Sequence, residues 1–128
     1  MYINKQMSSR RLHIDIRENG LYSFDDQTAT GKTYLVNLMQ GMNEVYVVTY
    51  SSTESVLNAQ IDEALSDKYK LVIFDRCDLY MTQNLYDKLL SKSNDMIILL
   101  DLKNFYEFTN VAPWPVQVIL RDEEIFVI

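Results

Sequence analysis

Three short segments of almost continuous apolar character constrain the fold of this 128-residue chain more than any other feature. They lie at residues 45–50 (VYVVTY), 71–74 (LVIF) and 96–100 (MIILL). A strand that is apolar on both faces must be covered on both faces, which is the usual situation of a parallel strand inside an α/β sheet. Segments with the spacing of amphipathic helices separate these strands. The order of strand and helix therefore predicts helices packed on a parallel sheet.

The N-terminal part of the chain contains a different pattern. Apolar and polar side chains alternate over residues 12–17, which predicts a strand with one buried face. The dipeptide Asn19-Gly20 is a strong signal for a tight hairpin, and residues 21–24 form a second apolar segment directly after it. We therefore expect these two strands to pair with each other.

Helices are expected at about residues 34–42, from Ser51 to about residue 68, and at residues 83–92. Ser51 and Glu54 have the spacing of a capping box, which places the start of the second helix. The leucines expected to face the core in the third helix are Leu85, Leu89 and Leu90. Near the C-terminus, prolines predict an irregular segment at residues 112–115, followed by strands at 116–120 and 125–128.

These elements predict a single α/β domain over residues 1–128. We expect three layers, α/β/α, around a mostly parallel central sheet, with antiparallel strands at the N- and C-terminal ends. Residues 1–10 are expected to form an N-terminal arm, where basic residues are concentrated.

Composition indicates the kind of environment and partner. The single cysteine, Cys77, excludes a disulfide within the chain, and no apolar run approaches the ~18 residues of a membrane-spanning helix. We therefore expect a cytoplasmic protein that has no contact with a membrane. The net charge of −6 makes a nucleic-acid partner improbable, because affinity for nucleic acid depends on neutralising phosphates.

Between the strand at 21–24 and the first helix lies the sequence DDQTATGKT, residues 25–33. A Gly-Lys-Thr tripeptide in this setting is typical of a phosphate-binding loop, in which backbone N–H groups and the lysine surround phosphates and the hydroxyl binds Mg²⁺. The residues predicted to bind nucleotide are Asp26, Thr28, Ala29, Thr30, Gly31, Lys32 and Thr33.

A second candidate residue follows the strand at 71–74. Asp75 stands at the carboxyl end of a buried parallel strand, where sheets of this class bind ligands. Its carboxylate would hold the metal opposite the Thr33 hydroxyl, so Thr33 and Asp75 are the predicted metal residues. A structural alternative is that Asp75 only begins a turn. The cofactor expected from this pattern is Mg²⁺ with ATP or GTP.

With these motifs in this order, the chain resembles the core of the P-loop ATPases of the AAA+ and recombinase-like class over about residues 21–120. In that class the strand before the phosphate loop is central, flanked by the fourth and fifth core strands. The resemblance implies that Lys32 and Thr33 match the Walker A lysine and hydroxyl, and that Asp75 matches the Walker B aspartate. It also implies that Asp101 or Asn104 lies near the sensor position.

The chain departs from that pattern at residues that matter for hydrolysis. Asp26 replaces the first glycine of the loop, and Arg76 stands where a catalytic glutamate is usual. Asp78 is a weak candidate for the catalytic base, and an arginine finger would have to be Arg121 or come from another chain. A tight Asn-Gly hairpin would also conflict with a central position for the strand at 21–24.

Two functions therefore remain open from the sequence. The first is a small nucleotide-binding domain for ATP or GTP whose hydrolytic activity is at most weak. The alternative is a degenerate P-loop module that no longer binds nucleotide and acts as a protein-interaction domain, with its partner surface between Phe105 and Trp114, where aromatic residues concentrate. A role in DNA processing is a distant third.

Overall fold

A computed structural model describes residues 1–7, 9–25 and 32–128. The strands within these residues are β1 (Tyr2–Met7), β2 (Arg10–Asp15), β3 (Gly20–Phe24), β4 (Val45–Val48), β5 (Leu71–Phe74), β6 (Ile97–Leu100), β7 (Trp114–Val116), β8 (Val118–Arg121) and β9 (Glu124–Val127). The helices are α1 (Lys32–Met39), α2 (Glu54–Ala64) and α3 (Gln83–Lys92), with short 3-10 helices at Cys77–Leu79 and Phe105–Glu107.

Five strands form a parallel sheet in the order β4-β5-β6-β3-β7. Every neighbouring pair in this sheet runs parallel. Strands β5 and β6 are buried over their whole length, which agrees with their continuous apolar sequences. The prediction of an α/β fold with a mostly parallel sheet is therefore confirmed. Strand β3 lies inside the sheet, between β6 and β7.

The other four strands form a mixed sheet in the order β1-β2-β9-β8. Its two antiparallel pairs, β1 with β2 and β8 with β9, come from the two ends of the chain, and β2 joins them by pairing parallel with β9. The segment expected to be an N-terminal arm thus contains β1. The antiparallel strands predicted at the two ends of the chain belong to this separate sheet.

The prediction of a tight hairpin at Asn19-Gly20 is wrong, because β2 and β3 belong to different sheets. The dipeptide instead lies at the crossing from the mixed sheet to the parallel sheet, where the Gly20 N–H donates to the Met96 carbonyl. Strand β3 is buried at four of its five residues and has parallel partners on both edges, so neither edge is free for β2. Burial on both faces decides the pairing here against the local turn signal.

The faces of the parallel sheet contribute to two separate apolar clusters. The first cluster joins β2, α1 and the inner residues of β9 to one face of the parallel sheet. Its members include Leu12, Leu35, Ile73, Leu99 and Ile125. The other joins α2 and α3 to the opposite set of side chains, among them Ile61, Val72, Tyr86, Leu89 and Ile98. Alternate side chains of β5 and β6 therefore enter different clusters, as the period of a strand requires.

Several local predictions need correction. Helix α2 has Thr53 at its N-cap, and the Ser51 hydroxyl accepts a hydrogen bond from the Thr53 N–H, so the Ser51–Glu54 capping box is wrong. In α3, Leu90 is expected to face the core but is half exposed, and Tyr86 is buried instead. The proline-containing segment does form a strand, β7, which is possible because Pro115 lies at the edge of the sheet.

Candidate functional site

Three aspartates follow directly after strands of the parallel sheet. Asp25 follows β3, Asp75 follows β5 and Asp101 follows β6. The register pairs Phe74 with Leu100, and these strands run in the same direction, so their carboxyl ends meet at one edge of the sheet. This edge is where an open parallel sheet binds its ligands. We call the group formed by Lys32, Asp75 and Asp101 at this edge the carboxyl-edge site.

Lys32, at the start of α1, reaches into the carboxyl-edge site. Its Nζ lies 3.3 Å from Asp101 Oδ1, across 69 residues of sequence. The two side chains are only 14% and 15% exposed. The ammonium also lies 5.7 Å from the centroid of the Phe24 ring, at the end of β3. A lysine held between an aromatic ring and a carboxylate at this depth is well oriented, and its charge is only partly screened by water.

The Asp101 carboxylate is held from two sides. Its second oxygen, Oδ2, accepts a hydrogen bond of 3.2 Å from the Arg76 backbone N–H. The Asp101 backbone continues the ladder towards β5, because its N–H donates to the Phe74 carbonyl at 3.0 Å and its carbonyl accepts from the Cys77 N–H at 3.1 Å. Asp101 therefore has a fixed position relative to both β5 and Lys32.

Arg76 takes an unusual conformation that makes this contact. Its φ of 44° and ψ of 45° lie in the left-handed region, which costs a non-glycine residue about 1 kcal/mol or more. The turn begins the 3-10 helix Cys77–Leu79 and leaves the Arg76 N–H directed at Asp101, while the Arg76 side chain is exposed. Backbone strain of this kind is common at functional sites.

Asp75 has a perturbed carboxyl group. Burial raises the pKa of Asp75 above its ordinary value of 3.8, and the negative charge of Asp101 raises it further. The charges of Arg76 and Lys32 oppose this shift in part. A carboxylate that resists ionisation at the carboxyl edge of a sheet is an indicator of a functional site.

An aromatic pair borders Asp75. The Tyr80 hydroxyl donates a 3.1 Å hydrogen bond to the Asp75 carbonyl oxygen. The ring of Tyr50, which follows β4, stacks on the Tyr80 ring with 6.4 Å between centroids. Tyr50 is half exposed, so an apolar surface is available beside the charged groups.

The end of β4 is closed by a side chain of α2. The Gln60 amide accepts from the Thr49 N–H at 2.9 Å and donates to the Thr49 carbonyl at 3.0 Å. This pair imitates the hydrogen bonds of a neighbouring strand at an outer strand of the parallel sheet. It fixes the chain as it leaves β4 towards Tyr50.

Much of the predicted phosphate loop lies outside the described residues: Asp26, Thr28, Ala29, Thr30 and Gly31. The Thr33 side chain is outside them as well, so the predicted pairing of Thr33 with Asp75 around a metal stays a prediction. Within residues 1–7, 9–25 and 32–128, no group of three His, Cys, Asp or Glu residues could hold a metal ion. Lys32, Asp75 and Asp101 are the predicted residues that the structure brings together.

Other candidates from the sequence lie elsewhere. Asp78 and Asn104 line a cavity of about 300 Å³ together with Glu107, and the Asn104 amide donates to the Glu107 carboxylate. Arg121 ends β8 in the mixed sheet. Of the two sensor candidates, Asp101 is therefore the one that contacts Lys32.

The aromatic segment between Phe105 and Trp114 borders an apolar cavity of about 420 Å³. The cavity lies between α3, the start of β3 and this segment. Trp114 is 55% exposed, Val111 is 78% exposed and Leu90 on α3 is half exposed at its rim. The concentration of aromatic residues predicts this segment as a surface, but the helix pattern places Leu90 in the core and gives no sign of its part in the cavity.

Among the helices that the structure describes, none is long and apolar enough to cross a membrane. The chain matches no protein-family model, no curated protein and no solved structure.

Proposed function

We propose that the protein binds a nucleotide, ATP or GTP with Mg²⁺ or their diphosphates, at the carboxyl-edge site, with at most weak hydrolytic activity. The observation that carries the proposal is the position of Lys32. It comes after β3, an inner strand of the parallel sheet, and its ammonium reaches the edge where Asp75 follows β5 and Asp101 follows β6. A cation in this position is suited to binding phosphate groups.

The strand order supports the same proposal. In the P-loop ATPases that the sequence resembles, the strand before the phosphate loop lies between the fourth and fifth core strands. Counted from β3, the fourth and fifth strands of the parallel sheet are β6 and β7, and these are the neighbours of β3. The conflict raised by the expected hairpin is thereby removed, because β2 does not occupy either place.

The charge balance at the edge fits a bound cation. The negative charge of Asp101 opposes ionisation of Asp75, and a divalent cation bound beside the two carboxylates would relieve this repulsion. Among the described residues, Asp75 is the one whose carboxylate would hold Mg²⁺. The bound ion would neutralise phosphate charge. Thr33 completes the predicted pair.

The expectation of weak hydrolysis follows from the groups near Asp75. Arg76 replaces the usual glutamate, and its backbone N–H holds Asp101. Asp78, the weak candidate for a base, is exposed on the 3-10 helix and lines the separate cavity beside Asn104. A base displaced from the phosphates by several ångströms would contribute little to the rate.

The test is a calorimetric titration of the purified protein with ATP, GTP and their diphosphates, with and without Mg²⁺. Binding should also raise the melting temperature, since ligand at 100 times its Kd stabilises the folded state by about 2.7 kcal/mol. Lys32→Ala should abolish binding, and Lys88→Ala, which removes an exposed lysine of α3, should not. The absence of any thermal shift at millimolar nucleotide would contradict the proposal.

A second function has one observation in its favour, the exposed apolar surface formed by Leu90, Val111 and Trp114 around the 420 Å³ cavity. Exposed apolar groups of this kind are typical of protein-binding surfaces. A photocrosslinking residue placed at Val111 should then capture one defined protein, and the same residue placed at exposed Asp62 on α2 should not. Equal crosslinking from both positions would rule this surface out.

A further inference from the structure

We propose that Asp101 is an internal anion that competes with the terminal phosphate of a nucleotide for Lys32, so that the site takes a nucleoside diphosphate in preference to a triphosphate. This inference rests on the proposed nucleotide site and adds a ligand class to it. It assigns Asp101 a role in specificity.

The Lys32 ammonium already has an anionic partner in the structure. The Lys32 ammonium, which in a phosphate site reaches the outer two phosphates, is already paired with Asp101 Oδ1 at 3.3 Å. The pair is more than four-fifths buried, so it is screened less by water and salt than a surface ion pair. A phosphate that needs the whole ammonium must displace this carboxylate.

Asp101 is held in place by hydrogen bonds to both its side chain and its backbone. Its Oδ2 accepts from the Arg76 N–H, its backbone N–H donates to the Phe74 carbonyl at the end of β5, and its carbonyl accepts from the Cys77 N–H. Displacement would break the contact with Lys32 and leave a partly buried carboxylate close to Asp75. The two carboxylates already repel each other, since Asp101 is one of the groups that oppose ionisation of Asp75.

The length of the phosphate chain decides how much of the Lys32 ammonium a nucleotide needs. An ammonium has three N–H donors, so Lys32 can hold Asp101 with one of them and a single outer phosphate with another. A diphosphate needs no more than this. A triphosphate brings one more phosphate group and one more negative charge to the same ammonium, next to the carboxylates of Asp75 and Asp101, and the repulsion opposes its binding.

The decisive variant is Asp101→Asn. It removes the charge but keeps one carbonyl oxygen, which can still accept from the Arg76 N–H. The matched control is Asp62→Asn, which removes an exposed carboxylate of α2 and changes the net charge by the same amount. Asp101→Ala is a second variant that removes the whole side chain. The ratio of two Kd values measured on one variant is insensitive to a small unfolded fraction.

The experiment is a calorimetric titration of each protein with ADP, ATP, GDP and GTP, with and without Mg²⁺. The unmodified protein should bind the diphosphate about tenfold or more tightly than the triphosphate, a preference worth about 1.4 kcal/mol. Asp101→Asn and Asp101→Ala should strengthen triphosphate binding by about tenfold and change diphosphate binding by less than about threefold. Asp62→Asn should keep the original ratio.

Two results would overturn the inference in distinguishable ways. If binding depends on Lys32 but the protein prefers the triphosphate, or Asp101→Asn changes both ligands equally, the specificity role of Asp101 is wrong while the proposed function stands. If neither the unmodified protein nor Asp101→Asn binds any of the four nucleotides, the proposed function fails and the inference fails with it.

Discussion

The ion pair between Lys32 and Asp101 should be a measurable source of stability as well as a part of the site. Lys32→Ala leaves a carboxylate that is only 15% exposed without its cation. Asp101→Asn leaves a buried ammonium without its anion. Removing both in one protein avoids either charge being left alone, so the double variant should be less destabilised than the sum of the two single variants.

The size of the effect follows from the geometry. At 3.3 Å, two unit charges attract by about 1.3 kcal/mol in water and about 5 kcal/mol at an effective dielectric constant of 20. Burial of both groups opposes this gain through lost hydration. We therefore expect Lys32→Ala to reduce the free energy of unfolding by about 2–3 kcal/mol, and the double-mutant cycle to give a coupling energy of about 1–3 kcal/mol.

The assay is urea unfolding of the four proteins, followed by circular dichroism at pH 7 without nucleotide. The control is the cycle on Lys68 and Glu63, whose atoms lie at a similar 3.2 Å but on the exposed surface, and its coupling should be clearly smaller. A coupling for Lys32 and Asp101 no larger than that of the control pair would refute the argument. Such a result would mean that the contact does not persist in solution.

Two further predictions concern groups around the site. Burial and the Asp101 charge raise the pKa of Asp75, so the ionised form of Asp75 destabilises the folded state. The Asp75→Asn variant should therefore unfold at a higher urea concentration than the unmodified protein at pH 7 in Mg²⁺-free buffer. This gain in stability should vanish below about pH 3.8, where the carboxyl group is protonated in both the folded and the unfolded state. An unchanged advantage at pH 3 would contradict it. Gln60→Ala should lower the free energy of unfolding by about 1–2 kcal/mol, because both backbone groups of Thr49 lose their partner. Asn58→Ala, an exposed change on the same helix, should have a much smaller effect on the same urea curve.

A site that places the carboxyl group of Asp75 beside a second carboxylate at a cost in stability is expected to do so for a ligand, since natural proteins accept local destabilisation mainly where function requires it. If Asp75→Asn stabilises the protein and also weakens nucleotide binding in the presence of Mg²⁺, both observations have the same cause. If it stabilises the protein without any effect on binding, the role of Asp75 in holding a metal is wrong.

The local sequence pattern was sufficient to predict the bounds of elements whose apolar residues indicate burial directly. The bounds of β5 and α3 agree with the expected residues 71–74 and 83–92, and β6 differs by one residue. A continuous apolar run can only be satisfied by burial on both faces, whatever its neighbours are. Periodicity was less reliable where a helix turns partly to solvent, as Leu90 shows.

The local sequence pattern could not predict which strands pair with each other. The sequence Asn19-Gly20 favours a hairpin, yet β2 pairs with β1 and β9 because its buried face meets the first apolar cluster, whereas β3 needs partners on both edges. The mixed sheet combines strands from the two ends of the chain. Such pairing depends on which edges remain free after the sheets assemble, and no short window of sequence contains that information.

For the site, the sequence determined which chemical groups are available and on which elements they stand. It placed Lys32 after a strand and before a helix, and Asp75 and Asp101 at strand ends. Only the tertiary structure decided that Asp101 pairs with Lys32 across 69 residues, while Asp78 faces a separate cavity. The reason is physical: parallel strands bring their carboxyl ends to one edge, but the order of the strands selects which two charges meet there.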